Sequence, residues 1–478
     1  MKELVVLNKY FLRYKWHLLF GIIFVSLSNY FRVLQPQIIR DALDLVIENI
    51  GIYNITEGTD IQQSINKELA ETLLFFGATV LVLALIMGIF MYFMRQTIIV
   101  MSRLIEYDLR KDIFSHYEEL DLGFYKKNNT GDLMARISED VSKVRMYLGP
   151  ALLYGINLVS LFILAIYSMV KVNLNLTLWV LAPLPILSIS IYYVSNLINK
   201  KSTIIQTQLS KLNSIAQEVY SGIRVVKSYV HEKPMAHYYE DECGDYRTKS
   251  LELARVNAFF HPLMIVLIGT STLLVLIVGG IQVSKGLITP GNIAEFIIYV
   301  NMLTWPVTAL GWISSLIQQA AASQKRINEF MHTVPAIQNQ NTDQYLIKGG
   351  ITFSQVGFTY RDTGIQALED ISFMLGPGEK MAIVGRTGSG KSTLADLIVR
   401  MYDVDKGSIK IDGMDIRYHN LQELRKQIGY VTQDVFLFSD TVAKNIAFSA
   451  SEATQTEIEQ NAEHAAIHTE LKRLPEGY

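Results

Sequence analysis

The sequence predicts an all-α domain of six transmembrane helices with long cytoplasmic helix extensions, followed by an α/β domain that contains a phosphate-binding loop (P-loop). Three observations carry this prediction: six apolar segments of membrane-spanning length, two long amphipathic connections between them, and a glycine-rich motif near residue 390. The 478 residues are more than one ordinary domain requires. The predicted boundaries are a transmembrane domain at 1–328, a linker at 329–348 and the α/β domain at 349–478.

The first apolar segment follows a basic N-terminus and includes the run from Leu18 to Phe31. Arg32 follows this run and no small-x-small cleavage site appears, so a spanning helix is expected rather than a removed signal peptide. A bilayer core of about 30 Å needs about 20 helical residues. Five further segments have this length, at roughly 72–94, 151–170, 176–198, 262–283 and 293–317.

Six polar side chains interrupt the first and the last of these segments. A polar group that faced lipid would be costly, so these side chains are expected to face the bundle interior or a water-filled cavity. For the acidic one, which lies near a helix end, a position at the membrane interface is an equally good interpretation. The six residues are Asn29, Arg32, Gln35, Gln37, Glu295 and Asn301.

Lysine and arginine residues alternate between the two sides of the predicted membrane domain. The connection at 40–71 holds seven acidic residues against two basic ones, and two short connections contain only Lys171 and Lys285. The long connections at 95–148 and 199–257 each hold nine Lys and Arg residues. Because basic residues stay on the cytoplasmic side, the pattern predicts that both termini are cytoplasmic.

The two basic connections have the periodicity of helices. Apolar residues recur every three or four positions in both, which is typical of amphipathic helices that continue the spans into the cytoplasm. Such extensions suit a machine that passes motion between a membrane bundle and a soluble motor. A cytoplasmic bundle without a mechanical role stays an alternative. The apolar positions are Ile105, Leu109, Ile113 and Tyr117 in one connection, and Leu212, Ile215, Val219 and Val226 in the other.

Charge and cysteine content exclude several classes of function. The net charge is −2 and no Lys/Arg block is present, so there is no reason to expect nucleic acid as a partner. The single cysteine, Cys243, excludes an internal disulfide framework and a cysteine-rich zinc site.

A complete G-x-x-x-x-G-K-[ST] motif occupies residues 385–392. Its glycines let successive backbone N–H groups point into one concavity, which together with a helix N-terminus binds phosphate oxygens. Lys391 is expected to reach the β- and γ-phosphates, and Ser392 is expected to bind Mg²⁺. The flanking pattern predicts a strand at 351–360, a short buried strand from Met381 to Val384, and a helix that begins near Lys391.

The motifs around this loop resemble those of ATP-binding-cassette (ABC) exporters, and the resemblance covers nearly the whole chain. The segment 356–360 resembles the A-loop, and 433–438 resembles the Q-loop. In the membrane half, segments near 124–132 and 222–232 are similar to the two intracellular coupling segments of that family. The strongest similarity is to bacterial half-transporters that export drugs or flip lipids, which implies a bacterial inner membrane protein.

The resemblance implies the ligands and the residues that hold them. The cofactors would be ATP and Mg²⁺, with the adenine stacked on Tyr360. Gln433 would contact Mg²⁺ and the attacking water, so the metal ligands would be Ser392 and Gln433. The implied ATP-binding residues are Tyr360, Gly385, Arg386, Thr387, Gly388, Ser389, Gly390, Lys391, Ser392, Thr393 and Gln433.

The implied partners are membrane lipids, a second half-transporter and an amphipathic substrate, either a lipid or a drug. The second half-transporter would be another copy or a different chain. An ATP-gated channel on the same architecture is an alternative, but no long regulatory insert is present.

The family's ATP-binding domain continues beyond the point that Tyr478 reaches, so a partial α/β P-loop ATP-binding domain is expected. Residues 1–478 contain no Leu-Ser-Gly-Gly-Gln signature, no apolar strand that ends in Asp-Glu and no switch histidine. Hydrolysis needs a positioned base and electrostatic clamping. This stretch of chain is therefore expected to bind ATP without hydrolysing it, and no catalytic residue is assigned. The alternative to an exporter is a catalytically inactive nucleotide-binding membrane fragment.

Overall fold

The computed structural model describes residues 2–55, 60–339, 341–450 and 452–478. The chain divides into two compact units. Unit 1 consists of Met1–Glu118 and Thr130–Thr333, and unit 2 consists of Glu119–Asn129 and Val334–Tyr478.

Unit 1 is helical throughout its described elements. A 3₁₀ turn, Lys2–Leu7, precedes the first α-helix, and two π-helical turns, Arg136–Asp140 and Tyr147–Ala151, flank the sixth. The α-helices are α1 (Asn8–Arg13), α2 (Lys15–Ile55), α3 (Asp60–Glu119), α5 (Thr130–Ala135), α6 (Val141–Met146), α7 (Leu152–Val172), α8 (Leu174–Leu181), α9 (Pro183–Ser221), α10 (Ile223–Ser228), α11 (Glu232–Ser284) and α12 (Pro290–Met331); α4 (Leu122–Lys127) belongs to unit 2.

Six helical stretches in the described residues are long and apolar enough to cross a membrane, which confirms the predicted number of spans. The amphipathic extensions are also confirmed, since α3 continues to Glu119, α9 continues to Ser221 and α11 begins at Glu232. With 60 residues, α3 is about 90 Å long at 1.5 Å per residue, about three times the thickness of the hydrocarbon core.

Short polar signals separate the helices at the ends of the spans. The side chain of Asn173 accepts a hydrogen bond from the Leu176 N–H at 2.9 Å and begins α8. Thr289 and Asn292 form a capping box at the start of α12, and Pro290 occupies its first turn. These caps satisfy backbone N–H groups that have no intrahelical acceptor.

The apolar core of unit 1 lies where α2, α7, α8, α9, α11 and α12 meet. Leu161, Val275 and Phe296 are fully buried in it. Outside this core, many large apolar side chains of the spans are exposed, as expected for surfaces that contact lipid.

Two of the predicted inward-facing polar residues, Asn29 and Glu295, are buried and have hydrogen-bond partners, and Gln35 and Gln37 are half-buried with partners. Asn29 is 2% exposed and donates to the Asn157 carbonyl at 3.2 Å. Glu295 is fully buried and pairs with Arg40 at 3.2 Å. Asn301 is exposed and not buried in the bundle, and its alternative position in a water-filled cavity stays a prediction. Its amide donates to the Ile297 carbonyl one turn back, at 2.9 Å, and this local bond satisfies the group without a neighbouring helix.

Unit 2 contains a small sheet with short helices. The strands are β1 (Ile351–Thr359), β2 (Gln366–Leu375), β3 (Lys406–Ile411) and β4 (Met414–Asp415), and the other elements are α13 (Lys391–Ile398), a 3₁₀ turn (Ile416–Tyr418), α14 (Leu421–Lys426), α15 (Val442–Ile446), α16 (Gln455–His464) and α17 (His468–Leu471). The sheet is antiparallel with the order β2-β1-β3-β4. Phe353 of β1 lies opposite Phe373 and Ile409 and forms the centre of the core.

The strand predicted from Met381 to Val384 is not formed. These residues have no regular structure, and Val384 is 93% exposed. A buried parallel strand needs a neighbour on each side to pair its backbone and cover its side chains. Among the described residues, no strand pairs with this segment. Its apolar composition alone therefore does not produce a strand.

Candidate nucleotide-binding site

The predicted phosphate loop, residues 385–392, leads directly into helix α13. The Ser389 N–H donates to the Arg386 carbonyl at 3.2 Å and closes a turn in the loop. Gly388 and Gly390 have φ values of +83° and +85°, in the left-handed region that glycine adopts without strain. The loop residues up to Ser389 are exposed.

Gly390 is constrained by a close neighbour as well as by its backbone angle. A Cβ atom at this position would lie 2.6 Å from the Ala367 carbonyl oxygen and 2.8 Å from the Leu368 side chain, both in β2. The second glycine of the motif therefore lets the start of α13 approach the sheet closely. This packing fixes where the N–H groups of the first helical turn lie.

The Lys391 side chain folds back across the loop. Its Nζ atom donates to the carbonyl oxygens of Gly385, at 2.9 Å, and Arg386, at 2.8 Å. The ammonium group thus lies beside the loop backbone, where phosphate oxygens would be stronger acceptors than neutral carbonyls. The N–H groups of residues 391–393 begin the helix and have no intrahelical acceptor of the usual kind. The start of α13 therefore combines a cation with backbone N–H donors.

The Tyr360 side chain contacts the first turn of α13. Its hydroxyl group lies 3.0 Å from Thr393 Oγ1, and Thr393 is 4% exposed. The ring makes edge-to-face contacts with Phe358, at 4.9 Å between centroids, and Tyr402, at 5.6 Å. The structure therefore brings the predicted adenine platform and the first turn of α13 together. This juxtaposition could hold a base and its phosphates at once.

The donors near the loop fit a magnesium ion that is bound mainly through nucleotide phosphates. Ser392 is exposed at the second position of α13, and its hydroxyl is an oxygen ligand of the kind that Mg²⁺ prefers. In the described part of the chain, no group of three or more His, Cys, Asp or Glu side chains could hold a metal by itself. Mg²⁺ usually keeps water and phosphate ligands beside one or two protein ligands, so this donor set is compatible with it.

Among the described residues, no contact links the Gln433 side chain to the phosphate loop. Gln433 lies in an exposed, irregular segment, and among the described residues its side chain makes no hydrogen bond with the loop. Val431 and Val435 on either side are 95% and 85% exposed. The prediction that Gln433 binds Mg²⁺ stays a prediction.

Two residues near the site were not found by sequence reasoning. The Tyr430 hydroxyl donates to Asp396 of α13 at 2.5 Å, and this hydrogen bond, with burial, raises the pKa of Tyr430 to about 12. The Nζ atom of Lys126 in α4 lies 4.5 Å from the centre of the Tyr360 ring. A basic residue 234 positions before Tyr360 gives no sequence signal for such a contact.

Comparison with protein families identifies both parts of the chain. Residues 18–307 match the family model of the ABC transporter transmembrane region, and residues 368–477 match the family model described as ABC transporter. The chain belongs to the ABC transporter family. It is a half-transporter of the exporter type, with one membrane region followed by one ATP-binding region.

Several bacterial proteins are similar to this chain. It is 32% identical to the multidrug resistance-like ATP-binding protein MdlA of Escherichia coli over 407 residues. This match covers 85% of the present chain and 69% of MdlA. The chain is 33% identical over 411 residues to the probable multidrug resistance ABC transporter protein YheI of Bacillus subtilis, covering 85% and 70%. The ATP-dependent lipid A-core flippase of Pseudomonas fluorescens is 33% identical over 372 residues, covering 78% and 62%.

Proposed function

We propose that this chain is one half of a dimeric ABC exporter that uses ATP to move an amphipathic lipid or drug across a membrane. The observation that carries the nucleotide part is the convergence of Lys391 and Tyr360 on the start of α13. Lys391 Nζ lies on the Gly385 and Arg386 carbonyls, and the Tyr360 hydroxyl lies 3.0 Å from Thr393 Oγ1. The names of the similar proteins support the class of substrate.

In this proposal each residue of the site has one role. Tyr360 stacks on the adenine base, and the N–H groups of residues 385–393 hold the phosphates. Lys391 leaves its two carbonyl acceptors for the β- and γ-phosphate oxygens, and Ser392 and Gln433 are ligands of Mg²⁺. Bound Mg·ATP would supply the free energy for transport, and the protein residues named here would bind and orient it.

The nucleotide proposal is tested by titrating the full chain in lipid nanodiscs with Mg·ATP. The Lys391→Ala variant should bind at least about tenfold more weakly, because it removes a charge-assisted hydrogen-bond donor to phosphate. Lys380→Ala is the matched control, since it removes the same charge from an exposed position outside the loop. Equal affinities of the wild-type chain and Lys391→Ala would contradict the proposal.

The proposed state of residues 1–478 by themselves is ATP binding without turnover. It rests on the motifs these residues contain and concerns this stretch of chain alone. The measurement is phosphate release from Mg·ATP by this polypeptide in lipid. Release that disappears in the Lys391→Ala variant would refute the proposal of lost hydrolysis and leave the exporter assignment unaffected.

An apolar groove in unit 1 is proposed to contact the amphipathic substrate. It has a volume of about 820 Å³ and lies between α2, α7 and α12. Val159 and Ile163 are 55% and 63% exposed along it, and the side chains of Ser26, Tyr30 and Ser160 add polar groups. Apolar walls with a few hydroxyl groups suit a molecule with an acyl or aromatic body and a polar head.

The groove proposal is tested by filling the groove. Gly155 lies in its wall, and a Cβ atom there would meet nothing within 4 Å, so Gly155→Trp starts its side chain in open space. This variant should lower the labelling of α7 by a photoactivatable amphiphile. Gly88→Trp is the control, because Gly88 is equally open but lies in α3, away from the groove. Unchanged labelling of α7 in Gly155→Trp would contradict the role of the groove.

The proposed location is the bacterial inner membrane with both termini in the cytoplasm, and the support is the distribution of basic residues. Cys243, the single cysteine, provides the test because it is partly exposed near the start of α11. A membrane-impermeant maleimide should modify it in inverted vesicles and not in intact spheroplasts. The reverse pattern would overturn the orientation.

The proposed protein partner is a second half-transporter, either another copy or a different chain. The support is the presence of one membrane region and one ATP-binding region in this chain. The measurement is the mass of the purified protein in nanodiscs. A mass of two copies indicates a homodimer, and a monomer that dimerises only after a second half-transporter is co-expressed indicates a heterodimer. A monomer under both conditions would contradict dimerisation.

A further inference from the structure

We propose that Lys126 is a positioning residue of the nucleotide site, which fixes the adenine platform Tyr360 and couples base binding to the segment Glu119–Asn129. This inference rests on the proposed role of Tyr360. The Nζ atom of Lys126 lies 4.5 Å from the centroid of the Tyr360 ring and 5.3 Å from that of Tyr402. A lysine ammonium at this distance is attracted by the electron-rich face of a tyrosine ring.

The Lys126 contact completes a set that holds the Tyr360 ring from several sides. The hydroxyl group is fixed by Thr393, and the ring meets Phe358 and Tyr402 edge to face. Lys126 covers part of one face, so the base would stack on the opposite face. A platform that is already oriented does not lose conformational entropy when the base arrives, and affinity for the base rises accordingly.

Electrostatics keep the ammonium of Lys126 charged at this position. Burial opposes the charged form, but Tyr402, Tyr360 and Asp396 outweigh this effect and raise the pKa of Lys126. The contact therefore persists at neutral pH. It also places a cation beside Tyr402, whose ring centroid lies 5.3 Å from the Lys126 Nζ atom.

Other residues of the segment Glu119–Asn129 also contact the rest of unit 2. The Asp121 carboxylate accepts a hydrogen bond from the Ala336 N–H at 3.0 Å. A Cβ atom on Gly123 would lie 3.8 Å from the Tyr402 ring, so the backbone of α4 lies close to that side chain. The Lys126 contact differs from these two because it touches Tyr360, a residue assigned to nucleotide binding.

The contact between Lys126 and Tyr360 would couple base binding and the docking of α4 in both directions. If docking of Lys126 on Tyr360 strengthens base binding, base binding must strengthen the docking of α4 by the same factor. The segment Glu119–Asn129 follows α3 directly in the chain. Lys126 would thus make this segment sensitive to the base of the nucleotide, and not only to its phosphates.

The test compares two ligands, Mg·ATP and magnesium tripolyphosphate, which has the phosphates but no base. In the full chain, Lys126→Met should weaken ATP binding about three- to tenfold and change tripolyphosphate binding less than about twofold. Lys126→Arg should keep the affinity for ATP, because a guanidinium also binds an aromatic face. Lys127→Met is the matched control, since it removes the same charge from the next residue of α4, and it should leave both affinities unchanged.

Hydrogen exchange provides a second readout that a purely structural role would not give. In the wild-type chain ATP should slow exchange in residues 119–129 and tripolyphosphate should not, and Lys126→Met should abolish this difference. Unchanged ATP affinity in Lys126→Met, or an equal loss for both ligands, would overturn the proposal. The Tyr360→Ala variant separates the two proposals. If it leaves the ratio of ATP affinity to tripolyphosphate affinity unchanged, the proposed adenine platform is wrong. If it changes this ratio but Lys126→Met has no effect, only the role of Lys126 is refuted.

Discussion

The polar groups inside the membrane bundle and those of the phosphate loop are organised in opposite ways. In the bundle, Glu295 is fully buried and accepts hydrogen bonds from Arg40, Asn292 and Tyr299 at 3.0–3.2 Å. In the loop, the acceptors of Lys391 among the described residues are two backbone carbonyls, and the loop residues around it are exposed.

This difference follows from the solvent that each region meets. A buried charge away from water needs partners within the protein, because an unpaired one costs several kcal/mol. A loop that binds an anion must instead keep donors that a ligand can take over. The bundle network is therefore closed, and the loop is open to a ligand.

The largest expected effect is the loss of one member of the closed network. Glu295→Ala leaves Arg40 without its buried partner and should lower the free energy of unfolding of unit 1 by about 3 kcal/mol. All four tryptophans lie in unit 1, so their fluorescence during denaturation in detergent reports this change. Asn301→Ala, an exposed position in the same helix, is the control and should have little effect. Equal stability of the two variants would show that the network does not stabilise the bundle.

The next effect concerns the loop, whose shape depends on backbone geometry rather than on polar partners. Gly390→Ala combines a positive φ with a clash against the Ala367 carbonyl and should cost about 2 kcal/mol. Gly388→Ala has a similar φ but open space around the new Cβ, so about 1 kcal/mol is expected. Hydrogen exchange of the β1 amides measures both. A larger cost for Gly388→Ala would contradict the close approach of α13 to β2.

Two valines of unit 2 compare a buried position with an exposed one. Val356 in β1 is fully buried, and Val356→Ala should cost about 1.5 kcal/mol, since two methyl groups leave the core. Val384, which is 93% exposed, should tolerate the same change within about 0.5 kcal/mol. Exchange rates in β1 compare the two variants. A large cost at Val384 would indicate that its segment packs against a sheet after all.

The smallest expected effect is a dependence on pH. Burial opposes ionisation of Asp412, but N–H groups of Gly350, Lys348 and Gly349 outweigh it and lower the pKa of this carboxyl group. Its contribution to stability is present above the unfolded pKa of about 3.9 and is lost as the pH falls through the lower folded value. Between pH 5 and pH 3, the protection factors of amides near β3, corrected for the intrinsic exchange rate at each pH, should fall less in Asp412→Asn than in the wild-type chain. An identical fall in both chains would exclude Asp412 as a source of this dependence.

Features that depend on local pattern were predictable from the sequence. The number of spans followed from apolar length, and the helix after Gly390 followed from the P-loop motif. Features that depend on distant neighbours were not. Met381–Val384 has the apolar composition of a buried strand but lacks a neighbouring strand among the described residues.

The contact between Lys126 and Tyr360 joins residues far apart in the chain, so no local pattern could reveal it. The position of Gln433 is similar, because its role depends on where an irregular segment lies relative to the loop. For both residues, the composition of the surrounding segment does not predict which other parts of unit 2 the side chain lies near.

Photolabelling with Mg·8-azido-ATP shows whether Tyr360 and the loop at 385–392 form one nucleotide site. The azido group lies on the base, so the modified residue identifies the side chain that the adenine contacts. An adduct is expected on Tyr360, and excess ATP should abolish it and Lys391→Ala should strongly reduce it. An adduct on another segment, or one on Tyr360 that neither ATP nor Lys391→Ala affects, would contradict a single nucleotide site.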